Sequence, residues 1–277
     1  MSSLEIDRDA VTRHYAQGGL AERLLAALAA AGKDPDRLTA EDLAPFDQFH
    51  TRGAAATAEL AALAGIGPAD RVLDVGCGIG GPARSLALVP GCRVTGIDLT
   101  PEFVAVATML ADRLGLAGRV EFRVADACAL PFADAAFDVA WTQHAAMNIA
   151  DRPRLYGEIR RILRAGGRLA LHDVLAGPAG PPLYPTPWAR RPEESFLLDA
   201  AATRAVLEQA GFRVLHWQDV TAEAAAWFAR RFASPAAAAG PGLATLMGRN
   251  YPEMALNQGR NLAEGRVAVL QAVLTAA

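Results

Sequence analysis

Segment 71–84 constrains what this chain can fold into more than any other stretch, because it reads as a buried strand, a glycine turn and the start of a helix. Val72, Leu73 and Val75 are apolar and mostly β-branched, which is typical of a strand covered on both faces. Four glycines then fall between residues 76 and 81, where the backbone must turn tightly or approach a ligand. This order of elements predicts an α/β protein with a parallel sheet.

Two classes of ligand fit this glycine turn. The spacing Gly76-x-Gly78-x-x-Gly81 also satisfies the dinucleotide fingerprint. In a nicotinamide enzyme, however, the helix N-terminus faces a pyrophosphate, where the acidic Asp74 would be unfavourable. A carboxylate at a strand end instead suits a ligand that carries a positive charge or an amino group. Asp98, at the end of the next predicted strand, can hold ribose hydroxyls in either case.

Polar side chains also end the later predicted strands. The third predicted strand ends at Asp126, the fourth runs into His144, and His172 lies at the end of the fifth. Ligands of doubly wound parallel sheets bind at the carboxyl ends of the strands. We therefore expect these side chains and the glycine turn to meet at one site.

Glycines and apolar runs predict the remaining helix and strands. A helix is predicted over 152–164, with Gly166 and Gly167 as its C-cap and turn. Strands at 212–220 and 266–275 are predicted to pair with each other.

Composition excludes several function classes. The chain has 277 residues and a formal net charge of −3, whereas nucleic-acid-binding domains usually present a basic face. No stretch approaches the roughly 18 apolar residues of a membrane span, and residues 1–10 are too charged for a signal peptide. The three cysteines have neither metal-ligand spacing nor a disulfide framework. We expect a cytoplasmic protein with no nucleic-acid or membrane partner and no metal site; the oligomeric state stays open.

The run from Leu73 to Gly81, Leu-Asp-Val-Gly-Cys-Gly-Ile-Gly-Gly, resembles motif I of the class I S-adenosylmethionine-dependent methyltransferases. Segments 47–53, 78–84 and 143–149 resemble those of sarcosine/dimethylglycine N-methyltransferases. The Gly-Gly-Pro-Ala-Arg element is also similar to that of sterol and tocopherol C-methyltransferases and sugar O-methyltransferases.

The resemblance implies a Rossmann-like seven-stranded sheet that ends in an antiparallel pair. It also implies a helical N-terminal lid at 1–55 and a methyltransferase domain at 56–277. Within that domain we expect a substrate cap at about 176–198 and a C-terminal segment at about 221–265.

The implied reaction is transfer of a methyl group from S-adenosyl-L-methionine to a small-molecule acceptor, with S-adenosyl-L-homocysteine as product. An amine of the sarcosine/dimethylglycine type is the leading acceptor, and the oxygen or carbon of a natural product (terpenoid, aromatic or sugar-bearing) is the alternative. A nicotinamide oxidoreductase and a catalytically silent cofactor-binding protein remain open as other classes.

The resemblance also assigns the cofactor contacts. The glycine loop is expected to hold the methionine portion, with Asp74 near its amino group. Asp98 is expected to bind the ribose hydroxyls and Leu99 to pack against the adenine. Asp126 and Ala127 are expected to contact the adenine edge. The full expected set is Asp74, Gly76, Gly78, Gly80, Asp98, Leu99, Asp126, Ala127, Gln143 and His50.

Methyl transfer is an in-line displacement, so positioning supplies most of the acceleration, roughly 7–11 kcal/mol. A general base adds about 10²–10⁴-fold and matters for a hydroxyl or an acidic carbon, whereas a neutral amine needs none. His144 is the first candidate for this base or for a hydrogen bond that orients the substrate, and His172 is the second catalytic candidate. Tyr15, in the expected lid, is the third catalytic candidate.

The acceptor pocket is expected to involve Met147, Asn148, Tyr184 and Trp188. The last two lie in a stiff, proline-rich loop that can present an aromatic side chain. Trp141 ends an apolar strand and is predicted to be core.

Overall fold

The computed structural model describes residues 18–231, 242–248 and 250–276, so Tyr15 lies outside the described residues. Its centre is a seven-stranded sheet. The strands are β1 (Arg71–Val75), β2 (Arg93–Asp98), β3 (Val120–Val124), β4 (Phe137–Gln143), β5 (Leu163–Ala176), β6 (Phe212–Asp219) and β7 (Val267–Ala276).

The strand order is β3-β2-β1-β4-β5-β7-β6. The first five strands are parallel, and β7 runs antiparallel to both β5 and β6. The predicted Rossmann-like sheet with its final antiparallel pair is confirmed. The order reverses between β1 and β4, and this switch point is where open α/β sheets bind ligands.

Helices cover both faces of the sheet and its carboxyl edge. Within the described ranges they are α1 (Leu20–Ala30), α2 (Ala40–Asp47), α3 (Ala54–Leu63), α4 (Gly81–Leu88), α5 (Pro101–Arg113), α6 (Arg152–Ile162), α7 (Ala200–Gln209), α8 (Thr221–Arg231), α9 (Leu243–Met247) and α10 (Tyr251–Ala263). None of these helices is long and apolar enough to cross a membrane.

Separate apolar layers hold the helices in place. Leu155 and Leu207, from α6 and α7, pack against one face of the sheet, and Leu60 and Leu86, from α3 and α4, pack against the other. Trp141 is fully buried in the second layer, as predicted. Burial of about 25 cal/mol per Å² of apolar surface makes these layers the main source of stability.

The predicted helix cap at Gly166 and Gly167 is wrong. Helix α6 ends at Ile162, Leu163 is already extended, and β5 begins there. Gly166 has a φ of 69° inside an irregular part of the strand, where the pairing with β4 slips. The glycines therefore allow a bulge in β5 rather than the end of a helix.

A buried ion pair fixes the N-terminal helices to the glycine turn. Arg84 Nη2 lies 2.7 Å from Asp47 Oδ2, and both side chains are almost fully buried. Arg84 Nη1 also donates to the carbonyl oxygen of Ile79 at 2.7 Å. A Cβ on Gly81 would lie 2.2 Å from the carbonyl oxygen of Asp47, so only glycine allows this approach.

Candidate active site

A deep cleft opens at the switch point, at the carboxyl ends of β1, β2 and β4. Its empty space, including the open mouth, measures about 1480 Å³. The walls of the cleft divide into two chemically different halves.

Asp98 organises the first half. Its Oδ2 accepts a hydrogen bond from the Gly78 N–H at 3.0 Å, and its Oδ1 accepts one from the Thr100 N–H at 2.8 Å. Burial raises the pKa of the Asp98 carboxyl, and these backbone donors act in the opposite direction. Each oxygen keeps a further lone pair, so Asp98 can hold the loop and still accept from a ligand hydroxyl.

The glycines at 76 and 80 serve close packing. A Cβ on Gly76 would lie 2.5 Å from the Cβ of Ala145, so the turn after β4 sits directly on the glycine loop. A Cβ on Gly80 would lie 2.5 Å from the ring of Phe122. Gly76 lines the cleft, whereas Gly80 lies outside its lining.

Asp74 is buried behind the glycine loop rather than exposed in the cleft. Its Oδ2 has no hydrogen-bond partner. Burial, reinforced by the nearby charge of Asp98, raises the pKa of the Asp74 carboxyl to about 7. A ligand with a positive charge would favour the ionised form of this group.

The other expected cofactor residues line this half. Leu99, Asp126 and Ala127 stand at its far end, together with Ile97, Phe103, Ala125 and Cys128. Asp126 Oδ1 accepts from the Cys128 N–H at 2.8 Å, which fixes the turn after β3. The surface is apolar with carboxylates at its edge, a combination that suits a purine and a sugar.

A cluster of imidazoles stands between the two halves. The rings of His144 and His172 are stacked, and Thr51 Oγ1 lies 3.4 Å from Nε2 of His144 and 3.1 Å from Nε2 of His172. His50 meets both rings edge-on. His144 lines the cleft, whereas His172 is fully buried behind it. The neighbouring Asp173 lies near Arg152, 4.0 Å away, so it is not the partner of His172.

All three imidazoles are held neutral. Burial lowers the pKa of His50 to about 4 and that of His172 to about 3. Burial and the two other histidines lower the pKa of His144 well below its usual value. At neutral pH each ring therefore keeps a lone pair that can accept a proton.

A buried hydrogen-bond network orients Gln143. Its Oε1 accepts from Trp141 Nε1 at 3.0 Å and from Thr57 Oγ1 at 3.1 Å. Since the indole N–H can only donate, the amide oxygen faces Trp141 and the amide nitrogen faces elsewhere. Thr57 Oγ1 also lies 3.1 Å from Nε2 of His50, which joins α3 to the imidazole cluster.

The second half of the cleft is apolar and aromatic. Its wall combines Met147, Asn148, Ile149, Pro187, Trp188, Trp227, Phe228, Leu243, Met247, Tyr251 and Gln258. Among the described residues that line the whole cleft there is no lysine or arginine, and the only carboxylates, Asp98 and Asp126, belong to the first half. This half suits an uncharged, largely apolar ligand.

Most of the predicted site residues meet in the cleft. Those that line it are Gly76, Gly78, Asp98, Leu99, Asp126, Ala127, Gln143, His50, His144, Met147, Asn148 and Trp188. Asp74, Gly80, His172 and Tyr184 lie outside the lining. Sequence reasoning missed Thr51 and the aromatic wall formed by Trp227, Phe228 and Tyr251. The signal for the wall is the set of aromatic side chains at helical positions in the segment 221–265.

Comparison with known proteins agrees with this geometry. A family model described as a methyltransferase domain matches residues 73–171. An O-methyltransferase of Aspergillus nomiae is 34% identical over 156 residues, which make up 54% of this chain and 67% of that protein. The chain belongs to the S-adenosylmethionine-dependent methyltransferases.

Other members of this methyltransferase family match over shorter stretches. The 27-O-demethylrifamycin SV methyltransferase of Amycolatopsis mediterranei is 40% identical over 123 residues, covering 44% of this chain and 45% of that protein. The matched region spans about half or less of the first curated relatives.

Among solved structures, the 4+2 cyclase SpnF matches the methyltransferase fold of this chain over almost its whole length. The TM-score is 0.68 at 28% sequence identity, and the match covers 94% of this chain and 95% of SpnF.

Proposed function

We propose that this chain transfers a methyl group from S-adenosylmethionine to an oxygen or carbon atom of a largely apolar small molecule. The observation that carries the proposal is the uncharged aromatic half of the cleft, which adjoins a glycine loop and a ribose-type carboxylate. The relatives described above are named for O-methylation, which favours oxygen.

The residues of the first half fit S-adenosylmethionine. Asp98 has lone pairs left for ribose hydroxyls, and Leu99 and Phe103 offer apolar surface for adenine. Asp74 has a buried oxygen without a partner, as expected of a carboxylate that meets an ammonium group directly or through water. When bound, S-adenosylmethionine supplies the electrophilic methyl group.

The leading expectation of a sarcosine-type amine is not supported by the cleft. Sarcosine and dimethylglycine carry a carboxylate, and burying a carboxylate without a cationic partner is costly. The described cleft residues include no lysine or arginine that could pair with it. The alternative of a natural-product acceptor is therefore preferred.

His144 would take the proton that an acceptor hydroxyl loses. It lines the cleft at the junction of the two halves, and its neutral ring can accept a proton. Asn148 stands in the acceptor half, where its side-chain amide donates to the Trp188 backbone carbonyl oxygen at 2.7 Å, and the Trp188 indole N–H donates to Ser195 Oγ at 2.9 Å.

Two measurements test the proposal. Calorimetric titration with S-adenosylmethionine and S-adenosylhomocysteine should show micromolar binding that Asp98→Ala abolishes and the surface control Asp112→Ala preserves. A screen with trideuteromethyl-labelled S-adenosylmethionine should then label hydroxylated polyketides, terpenoids or phenols, and not sarcosine or dimethylglycine. Labelling of the amines alone would overturn the proposed acceptor class, and no binding at all would overturn the cofactor.

A second candidate function is cyclisation of an apolar polyene without methyl transfer. It is favoured by the match to a 4+2 cyclase over nearly the full length of both chains. The same screen separates the two, because cyclisation gives a product of unchanged mass and different retention. Methylation adds the label instead.

A further inference from the structure

A row of polar side chains crosses the otherwise apolar sheet. Gln143 of β4 stands opposite His172 of β5, His172 opposite Gln271 of β7, and Gln271 opposite Gln218 of β6. Residues directly opposite each other on neighbouring strands point to the same face, with Cβ atoms about 4.5–5.5 Å apart. The four side chains therefore form one continuous line on the face that α3 covers.

Three members of this row carry a buried nitrogen atom without a hydrogen-bond partner. They are Nε2 of Gln143, Nδ1 of His172 and Nε2 of Gln271. The three side chains are 7%, 0% and 2% exposed. Buried polar atoms nearly always have a partner, often an enclosed water molecule. The three atoms stand on three adjacent strands, where enclosed water would satisfy them.

The row connects two openings. Gln143 lines the main cleft, whereas Gln271 and the exposed Gln218 line a second cleft that opens to solvent elsewhere on the surface. Arg52, Glu59 and Glu223 border this second cleft. Thr51 sits where the imidazoles meet, in contact with His144 on the cleft side and His172 within the row.

We propose that His144, Thr51, His172 and Gln271 form a proton-release route that carries the acceptor's proton through the protein to the second cleft. The proposal rests on the proposed function, because only an acceptor that loses a proton needs such a route. It explains how the base can lose its proton while donor and acceptor still fill the cleft.

The transfer is balanced at each step. The acceptor O–H bond breaks as its oxygen gains the methyl group, and the proton goes to one ring nitrogen of His144. His144 then gives up a proton from Nε2 to Thr51 Oγ1, which passes its own hydroxyl proton to Nε2 of His172. His172 releases a proton from Nδ1 to water beside Gln271, and every group ends neutral. The charged and titratable groups facing this path are His50, Arg52, Glu59 and Glu223.

A crystal structure of the S-adenosylhomocysteine complex at high resolution tests the hydrated path directly. We expect ordered water within hydrogen-bond distance of His172 Nδ1 and Gln271 Nε2. The ring proton of His172 should also exchange with solvent rapidly by NMR, and at least tenfold more slowly in Gln271→Leu. Thr275→Val, which removes a hydroxyl from the same strand outside the row, is the matched control. A dry row, or exchange that Gln271→Leu leaves unchanged, would overturn the route.

Turnover gives the functional readout once the screen supplies an acceptor. Gln271→Leu should lower kcat several-fold with KM unchanged and alter the solvent isotope effect, whereas Thr275→Val should do neither. The loss should be smaller than the 10²–10⁴-fold expected for removing the base itself. Normal turnover in a Gln271→Leu protein that has lost its bound water would refute the route and leave the methyltransferase function standing. Absence of methylation with every acceptor would refute the function, while the water and exchange measurements would still decide whether the path exists.

Discussion

The imidazole rings of His144 and His172 stack with their centroids 5.3 Å apart and an angle of only 9° between their planes. The stacking joins a residue that lines the cleft to one that is wholly buried. His144 also has a φ of 51°, a left-handed conformation that is uncommon outside glycine. The candidate base is thus held in one orientation by both its ring and its backbone.

Replacement of His144 tests its role as the base. Asparagine tolerates the left-handed conformation better than alanine does, so His144→Asn removes the imidazole at small cost to the backbone. We expect kcat to fall by about 10²–10³-fold while the affinity for S-adenosylmethionine changes little. Steady-state kinetics and calorimetry measure the two quantities; an equal loss of both would indicate a structural role instead.

The buried histidines are expected to lower the stability in mild acid, against an opposite contribution from Asp74 and Asp173, whose folded-state pKa values of about 7 and 6 lie above that of an unfolded carboxyl. His50 and His172 have folded-state pKa values of about 4 and 3, below the 6.5 expected for an unfolded chain. The unfolded state therefore binds more protons below pH 6.5, and each histidine costs up to about 1.4 kcal/mol of unfolding free energy per pH unit down to its folded pKa. Urea unfolding at pH 7, 6 and 5 measures the net slope, and the difference between the unsubstituted protein and His50→Gln isolates the contribution of this histidine. A pH dependence that His50→Gln leaves unchanged would contradict the buried neutral cluster.

Cofactor affinity is expected to rise with pH. Asp74 has a pKa of about 7 in the free protein, and a bound ammonium group would lower it. Binding should therefore release a proton, and affinity should increase from pH 6 to 8 and then level off. Calorimetry in buffers of different ionisation enthalpy counts the released proton. Asp74→Asn should remove both the proton release and the pH dependence. If both persist in this variant, Asp74 does not interact with the ammonium group.

The buried pair of Asp47 and Arg84 is expected to behave as a unit. Removing one charge leaves the other buried without a partner, so Asp47→Ala should destabilise the fold by about 3–5 kcal/mol. The double variant Asp47→Leu with Arg84→Met should recover much of that loss. A double-mutant cycle in urea provides the coupling energy. Additive losses would show that the two side chains act independently.

The aromatic wall is expected to set acceptor affinity alone. Trp227→Ala should raise the KM for the acceptor about tenfold, in line with the loss of roughly 1.4 kcal/mol of apolar contact, and leave the binding of S-adenosylmethionine unchanged. Trp217→Ala, on β6 outside the cleft lining, is the matched control. A weakened affinity for S-adenosylmethionine in Trp227→Ala would show that the two halves are not separate.

The sheet and the first half of the cleft could be predicted because their signals are local. Asp74, Asp98 and Asp126 each stand at or just after the carboxyl end of a predicted strand. The ends of parallel strands lie along one edge of the sheet, so these side chains are expected to lie close together. The imidazole cluster could not be assembled this way, since Thr51 lies 93 residues before His144 along the chain. Arg84 carried no sign of its buried partner, because only the folded chain brings α2 against the start of α4.

Much of the acceptor wall comes from one segment of the chain. Helices α8 and α10 both lie between β6 and β7, which are neighbours in the sheet, whereas the donor half is complete before residue 150. Exchange of this segment would keep the strand order, the glycine loop and the part of the acceptor wall formed by Met147 and Trp188. Chimeras that swap only 221–265 between relatives are therefore a direct way to redirect the enzyme to new acceptors, and recombination in nature has the same opportunity.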